Sequence, residues 1–280
     1  MNKRIAFFNG DFVEEEKVSL HVSDLSIQRG YGIFDYFSIA DNAPVFLEHY
    51  LERFFHSAAT MRLSLQYSVA ELTAIIHELI NRNDIPSSGM RLELTGGYSP
   101  DTYAMGTPNF FIVHQPLKPR PAELVEQGMK IITHSYVRDL PQVKSINYLM
   151  GVWLQDKVKA AGASDVLYHI NNEVSEFARS NFFIVTKNDV VVTPAKNILH
   201  GITRMKTLQL AREHFTAEER AVTLNDIRKA KEAFMTSTTK QIIPIVEVDG
   251  RPVGNGRPGA ITYQLDRLLA VLRLQKANAL

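Results

Sequence analysis

Apolar residues recur along the chain with two different periods, and the changes of period mark the elements. Leu47, Leu51, Phe54, Ala58 and Met61 stand three or four positions apart. That spacing puts them on one helix face and predicts a helix over residues 47–62. A second helix is predicted over 70–82, with Ser68 as its cap and Glu71 completing a capping box. Residues 32–40, 90–95 and 109–114 are short apolar runs and read as strands. Asn9-Gly10 makes the first residues a hairpin, because both positions accept positive φ. Asp41-Asn42-Ala43-Pro44 turns the chain again.

The run Gln115-Pro116-Leu117-Lys118-Pro119-Arg120-Pro121 breaks this pattern. Proline fixes φ and removes a donor, so the run suits neither a helix nor an inner strand. It reads as a linker, placed at 116–121, between a domain over 1–115 and a larger one over 122–280. Beyond it, strands are expected at 129–134, 165–169, 182–185 and 190–192, and helices at 149–161 and 203–215. Asp249-Gly250 marks a further hairpin, and an amphipathic helix is expected over 260–274. No internal repeat or low-complexity tract is visible.

Composition narrows the classes. The 280 residues are 45% hydrophobic, enough for a substantial core. With no cysteine, neither a disulfide nor a thiolate nucleophile is available. A net charge of +1 gives no reason to expect a nucleic-acid or membrane-surface partner. The apolar run at Ile5–Phe8 is too short for a signal-peptide core, and no run approaches the ~20 apolar residues of a membrane span. A cytoplasmic protein with no metal site is the expectation.

Four segments draw chemical attention, and each has an ordinary explanation when taken alone. Lys144, in Val143-Lys144-Ser145-Ile146-Asn147-Tyr148, stands between apolar neighbours where a helix is about to open. Most such lysines send the ammonium to solvent, whereas a Schiff-base lysine needs burial or nearby charge. Glu176, before an apolar run, is otherwise a surface acid. Gly201-Ile202-Thr203-Arg204 at a helix start is either simple capping or an anion site. Thr236-Ser237-Thr238-Thr239 is a hydroxyl run that would serve equally as a turn.

Together, and in this order, these segments resemble the class IV aminotransferases, the fold-type IV pyridoxal-5'-phosphate (PLP) enzymes. The resemblance runs from Phe7 to about Leu268. It implies a mixed α/β, two-domain fold with a small N-terminal α/β domain and a larger C-terminal pseudo-barrel domain. Lys144 falls on the family's Schiff-base lysine, within Lys-x-x-Asn-Tyr. Glu176 falls on the acid that bonds the pyridine nitrogen, and Asn181 closes its Glu-x-x-x-x-Asn pattern. Arg53, in Leu-x-Arg-Phe, falls on the phosphate-binding arginine. Ile202 and Thr203 of Leu-x-Gly-Ile-Thr-Arg, with Thr238, would complete the phosphate cup, and Leu199 would pack on a ring face. The resemblance also implies a homodimer whose substrates are small amino acids and 2-oxo acids.

The same family pattern breaks where the substrate would sit. An arginine and a histidine hold the carboxylate in many D-amino-acid transaminases, and the matching positions here are Asp101 and Tyr103. Phe34 matches a family Tyr or Phe near the substrate, and Thr239, the last residue of the hydroxyl run, is a further substrate-site candidate. Arg29, Arg91 and Arg179 occur at unexpected places flanking the implied site. Any one of them would be an ordinary ion-pair arginine. As a set they suggest that Arg179 and Arg91 bind an α-carboxylate, with Arg29 near the entrance, from its own or a neighbouring subunit. The favoured reading is a D-amino-acid transaminase, for D-alanine or D-glutamate, working with 2-oxoglutarate or pyruvate. The alternatives are a branched-chain L-amino-acid transaminase, with Phe34, Tyr31 and Phe177 as its apolar pocket, and an aminodeoxychorismate-lyase-like enzyme.

Overall fold

The computed structural model describes residues 3–277. The chain divides into two compact units. The first comprises Met1–Lys118, Val143–Asn147 and Arg273–Leu280, and the second Pro119–Gln142 and Tyr148–Leu272. The chain first passes from one to the other within the proline-rich run, between Lys118 and Pro119.

Among the described residues of the first unit, the strands are β1 (Ile5–Phe8), β2 (Asp11–Glu14), β3 (Gly32–Ala40), β4 (Ala43–Pro44), β5 (Ser88–Thr95) and β6 (Phe110–Pro116). The helices are α1 (Leu25–Arg29), α2 (Leu47–Thr60) and α3 (Val69–Asn83). The strands form one antiparallel sheet in the order β2-β1-β6-β5-β3-β4. Its first hairpin turns on Asn9 and Gly10 at φ 47° and 109°. The capping box at Ser68 and Glu71 is present, and it starts α3. Leu51 and Phe54 of α2 and Leu72, Ile76 and Leu79 of α3 are buried. Phe110 of β6 meets Phe7, Phe54 and Tyr67 at ring distances of 6.1, 6.0 and 5.3 Å. Clustered rings of this kind add to area burial.

Among the described residues of the second unit, the strands are β7 (Met129–Ser135), β8 (Asp165–Ile170), β9 (Glu173–Phe177), β10 (Asn181–Val185), β11 (Val191–Pro194), β12 (Ala217–Arg220), β13 (Glu232–Ser237), β14 (Gln241–Val248) and β15 (Arg251–Pro252). The helices are α4 (Ala122–Gln127), α5 (Leu149–Trp153), α6 (Gln155–Ala160), α7 (Ile202–His214), α8 (Leu224–Lys229) and α9 (Ala260–Ala277). The sheet order is β12-β11-β10-β13-β14-β7-β8-β9, with β15 on β14. β9, at one end of that order, runs directly into β10, and Phe177 N donates to Ser180 O at 2.9 Å. The sheet therefore curls back on itself. One core inside it gathers Phe177, Phe182, Met235, Ile243 and Ile245. A second, under α7 and α9, gathers Phe183, Leu208, Phe234 and Leu265, with the Phe183 and Phe234 rings stacked at 4.8 Å.

Three expectations change. The helix expected over 149–161 is two short helices, α5 and α6, that meet at Leu154. Glu176 precedes the expected apolar strand, β10, but itself lies within β9, a strand the sequence reading did not separate. Lys144 does not open a helix. Its segment pairs with β3 through Phe34 N to Lys144 O (3.0 Å) and Ile146 N to Gly32 O (3.1 Å).

Candidate active site

The expected site residues fall in two different units and are described unit by unit. In the second unit the centre is Glu176, 3% exposed. Its Oε2 accepts from Leu199 N at 2.9 Å and from Asn181 Nδ2 at 3.1 Å. Its Oε1 faces Arg138 Nη1 at 3.4 Å. Asn181 Nδ2 also donates to Leu199 O at 2.8 Å, which ties β10 to the segment leading into α7. A buried carboxylate is tolerated only when so satisfied. Arg138 is itself buried and stands 5.7 Å over the Tyr148 ring. Nearby on β8, burial and the Asp165 charge push the Tyr168 phenol up to about 12. Burial also raises the Asp165 carboxyl, while Val166 N, Lys240 and Arg179 oppose it.

Gly201 caps α7 with no side-chain hydrogen bond to its first turn. A Cβ there would stand 2.0 Å from Asn181 Oδ1, so only glycine lets the loop lie this close to Asn181. Ile202 and Thr203, both buried, follow as the first residues of the helix. N–H groups and dipole at such a start suit an anion. Arg204 of the same motif is structural: it donates to Thr193 Oγ1, Pro194 O and Glu219 Oε2 at 3.2, 2.9 and 2.7 Å. Thr236 Oγ1, at the end of β13, is buried without a partner among the described residues. Thr238 follows β13 half-buried, and Thr239 is exposed. Arg179, exposed in the turn between β9 and β10, makes no ion pair or hydrogen bond among the described residues.

In the first unit Lys144 is half-buried, with its backbone N 3.3 Å from Ser57 Oγ. Its Nζ stands 4.7 Å from the centre of the Phe34 ring. The Arg91 guanidinium lies 4.2 Å from the same ring and pairs with Glu93 Oε2 at 2.7 Å. Two cations thus share one aromatic side chain. Arg53, on α2, forks onto Asp35 of β3, with Nε to Oδ2 at 2.9 Å and Nη2 to Oδ1 at 2.6 Å. Both residues are buried. Arg29 ends α1, exposed, and donates to Gln28 O and to Thr102 Oγ1. Asp101 binds its own loop by accepting from Tyr103 N and Ala104 N, and Tyr103 is exposed.

Two residues of these sets escaped the sequence reading. Asp35 had a signal, a charge inside an apolar strand, which implies a buried counter-charge. Arg138 had none, since it lies in an irregular stretch without periodicity. Phe177, read as a pocket residue, belongs to the core and packs edge-on against Phe182 at 6.1 Å. Tyr31 spends its hydroxyl on Met61 O at 2.7 Å.

The sequence profile of the family described as "Amino-transferase class IV" matches residues 32–248, which includes Lys144, Glu176 and Arg53 but not Arg29. The chain belongs to the class IV aminotransferases. A D-alanine aminotransferase of Bacillus licheniformis is 32% identical over 268 residues, covering 94% of each chain. The branched-chain amino acid aminotransferase of Escherichia coli matches with a TM-score of 0.90 at 26% identity, over 97% of this chain and 95% of that one. A branched-chain amino acid aminotransferase of the archaeon Thermoproteus uzoniensis, solved with norvaline, shares the fold at TM-score 0.88 and 24% identity, over 98% and 96%. As an aminotransferase the protein moves amino groups between small amino and 2-oxo acids. Among the described residues no helix is long and apolar enough to cross a membrane.

Proposed function

We propose that this class IV aminotransferase works with pyridoxal 5'-phosphate and prefers a D-amino acid such as D-alanine or D-glutamate as donor, with 2-oxoglutarate or pyruvate as acceptor. In this reading Lys144 is the attachment point of the cofactor and Glu176 the partner of its ring nitrogen. The observation that carries the cofactor assignment is the fixed Glu176 carboxylate, buried and held by Leu199 N, Asn181 and Arg138. The residues present fit the group in two further ways. The uncapped start of α7 suits a phosphate, and the buried Thr236 hydroxyl lacks a partner among the described residues.

Bound pyridoxal phosphate supplies an electron sink that acidifies the Cα–H of an amino acid. Glu176 holds a proton at the ring nitrogen, because a carboxylate beside it favours the charged form. Arg138 and the Leu199 amide keep that carboxylate in place. Lys144 Nζ would carry the proton between the substrate Cα and the cofactor's C4'. Ile202 and Thr203 offer backbone N–H groups to the phosphate, with the hydroxyls of Thr203 and Thr238. Arg53 adds a donor beyond the two that Asp35 uses. Leu199 covers a ring face, and Asn181 positions both Leu199 and Glu176.

Arg91 and Arg179 are assigned to the substrate α-carboxylate and Arg29 to the entrance, with Phe34 and Thr239 beside the substrate. Arg179 makes no ion pair among the described residues, and Arg91 sits on the Phe34 ring that Lys144 also faces. The D preference is supported by the kinship to a D-alanine aminotransferase. A branched-chain L-amino-acid donor is the second reading, favoured by the fold match to the E. coli enzyme and by the apolar Phe34. The protein is proposed to be a homodimer. Leu149, Val152 and Trp153 of α5 share one helix face and are 75, 69 and 68% exposed in the single chain, as expected of a self-association surface.

The test is a donor panel of D-alanine, D-glutamate, L-leucine and L-valine with 2-oxoglutarate. Faster transfer from the D-amino acids is expected. Faster transfer from L-leucine or L-valine would move the assignment to the second reading.

A further inference from the structure

We propose that the second unit carries a binding site for a small aliphatic carboxylate, in a surface cavity between α8 and the hairpin of β14 and β15. The cavity is about 200 Å³, and its lining includes the buried Ile227, Val248 and Val253 and the exposed Arg228 and Arg251. This inference goes beyond the aminotransferase reading and uses none of its residues. The turn that carries Thr238 and Thr239 joins β13 to one end of β14, and Val248 closes the other end. β14 is 8 residues long. Its two ends are therefore roughly 23 Å apart.

Charge is the first observation. Neither Arg228 nor Arg251 makes a side-chain hydrogen bond or ion pair among the described residues. The acids around them are already engaged. Asp249, also in the lining, accepts from Thr133 N at 2.8 Å on one carboxylate oxygen and from Thr133 Oγ1 at 2.7 Å on the other. Asp226 accepts from Thr223 N and Oγ1 and stands 3.6 Å from Arg220. Glu247 pairs with Lys130 at 3.4 Å. Two guanidinium groups thus border one cavity with their charge unmatched, and a carboxylate matches them better than a neutral ligand does.

The second observation is an apolar floor between fixed walls. Asp249 and Gly250 turn the hairpin at φ 50° and 73°, and Val248 pairs with Arg251 across it. Asp249 N donates to Ile131 O at 3.0 Å, which fastens the turn to β7. A Cβ on Gly254 would stand 2.1 Å from Lys231 O, so the chain leaving β15 is pressed against the segment that follows α8. The opposite wall, α8, starts from a capping box at Thr223 and Asp226. Walls held in this way lose little freedom when a ligand enters. The volume is that of about six or seven waters. It suits an acid the size of isovalerate and is too small for a nucleotide. The branched chain would cover Ile227, Val248 and Val253 while the carboxylate met the two arginines. Inorganic phosphate would meet the charges and leave the floor wet.

The experiment is NMR of the methyl-labelled full-length protein, titrated separately with isovalerate, acetate, isoamyl alcohol and inorganic phosphate. Isovalerate is expected to shift the methyl resonances of Ile227, Val248 and Val253. It is expected to bind there roughly tenfold or more tightly than acetate, which lacks the apolar body, or isoamyl alcohol, which lacks the charge. Arg228→Gln and Arg251→Gln change exposed, unpaired side chains, and each is expected to weaken isovalerate roughly tenfold at these methyls. Lys144→Ala is expected to leave the same shifts unchanged. Shifts confined to other methyls, or wild-type affinity in both arginine variants, would overturn the site. Tighter binding of phosphate or of the alcohol than of isovalerate would overturn the ligand class. Shifts at these methyls in a protein that transfers no amino group would support the site and defeat the proposed function. Amino transfer without the shifts would do the reverse.

Discussion

Glu176 and Lys144 are held in opposite ways, and the contrast matches their proposed work. Glu176 sits buried on β9, and its carboxylate meets a backbone amide, a side-chain amide and a guanidinium. Lys144 lies on an irregular segment fastened by its backbone, and its Nζ rests over the Phe34 ring. An aromatic face attracts a cation but sets no single direction. A group that keeps a proton in place is best fixed, whereas one that carries a proton between atoms must swing. In the proposed reading Glu176 is the fixed group and Lys144 the moving one.

The comparison is broken most severely by removing the fixed charge. Glu176→Gln keeps an acceptor for Leu199 N but loses the carboxylate, and amino transfer is expected to fall by about 10²–10⁴-fold. Steady-state rates with the best donor check this, and a fall of less than threefold (about 0.6 kcal/mol) would show that Glu176 does not act on the cofactor. Next comes the buried pair of the first unit. Asp35→Asn leaves Arg53 without its counter-charge and is expected to cost about 3–5 kcal/mol in urea unfolding. Glu93→Gln, which unpairs the more exposed Arg91, is expected to cost less than about 1 kcal/mol. Equal costs would deny that burial sets the difference.

The smallest effect is a pH dependence in the first unit. Ser88 Oγ donates to Ile85 O, so it accepts from His114 Nε2 at 2.7 Å, which leaves Nδ1 buried and without a proton. Burial holds this imidazole below the ordinary histidine value, with the Leu79 carbonyl opposing. The unfolded chain therefore binds the proton first. Stability is full above the unfolded value near 6.5 and is lost as pH falls toward the lower folded value. Melting temperature is expected to drop between about pH 7 and 5, and to drop less in His114→Gln. An identical slope in the variant would remove His114 from the account.

Legibility in the sequence followed the range of the interactions. β3 was readable to its ends because its apolar run is bounded by Gly30-Tyr31 and Asp41-Asn42. α3 was readable because its capping box is local. β14 was hidden by Pro244, which argues against an inner strand. It is tolerated because pairing with β7 begins only at Ile245, so the missing N–H falls outside that ladder. The break at Leu154 escaped because the apolar period continues across it. Motif spacing singled out Glu176 and Asn181, and the structure joins them at 3.1 Å. Arg138 was not, since its pairing with Glu176 spans 38 positions and leaves no local pattern. Asp35 was the signal available and not used: a charge in an apolar strand names a partner somewhere else.

The most direct measurement is borohydride reduction of the protein after incubation with pyridoxal phosphate, followed by mass mapping of the peptides. The account predicts a pyridoxyl adduct on the peptide that carries Lys144, with none on that peptide in Lys144→Ala. An adduct confined to another lysine, or no adduct at all, would contradict it.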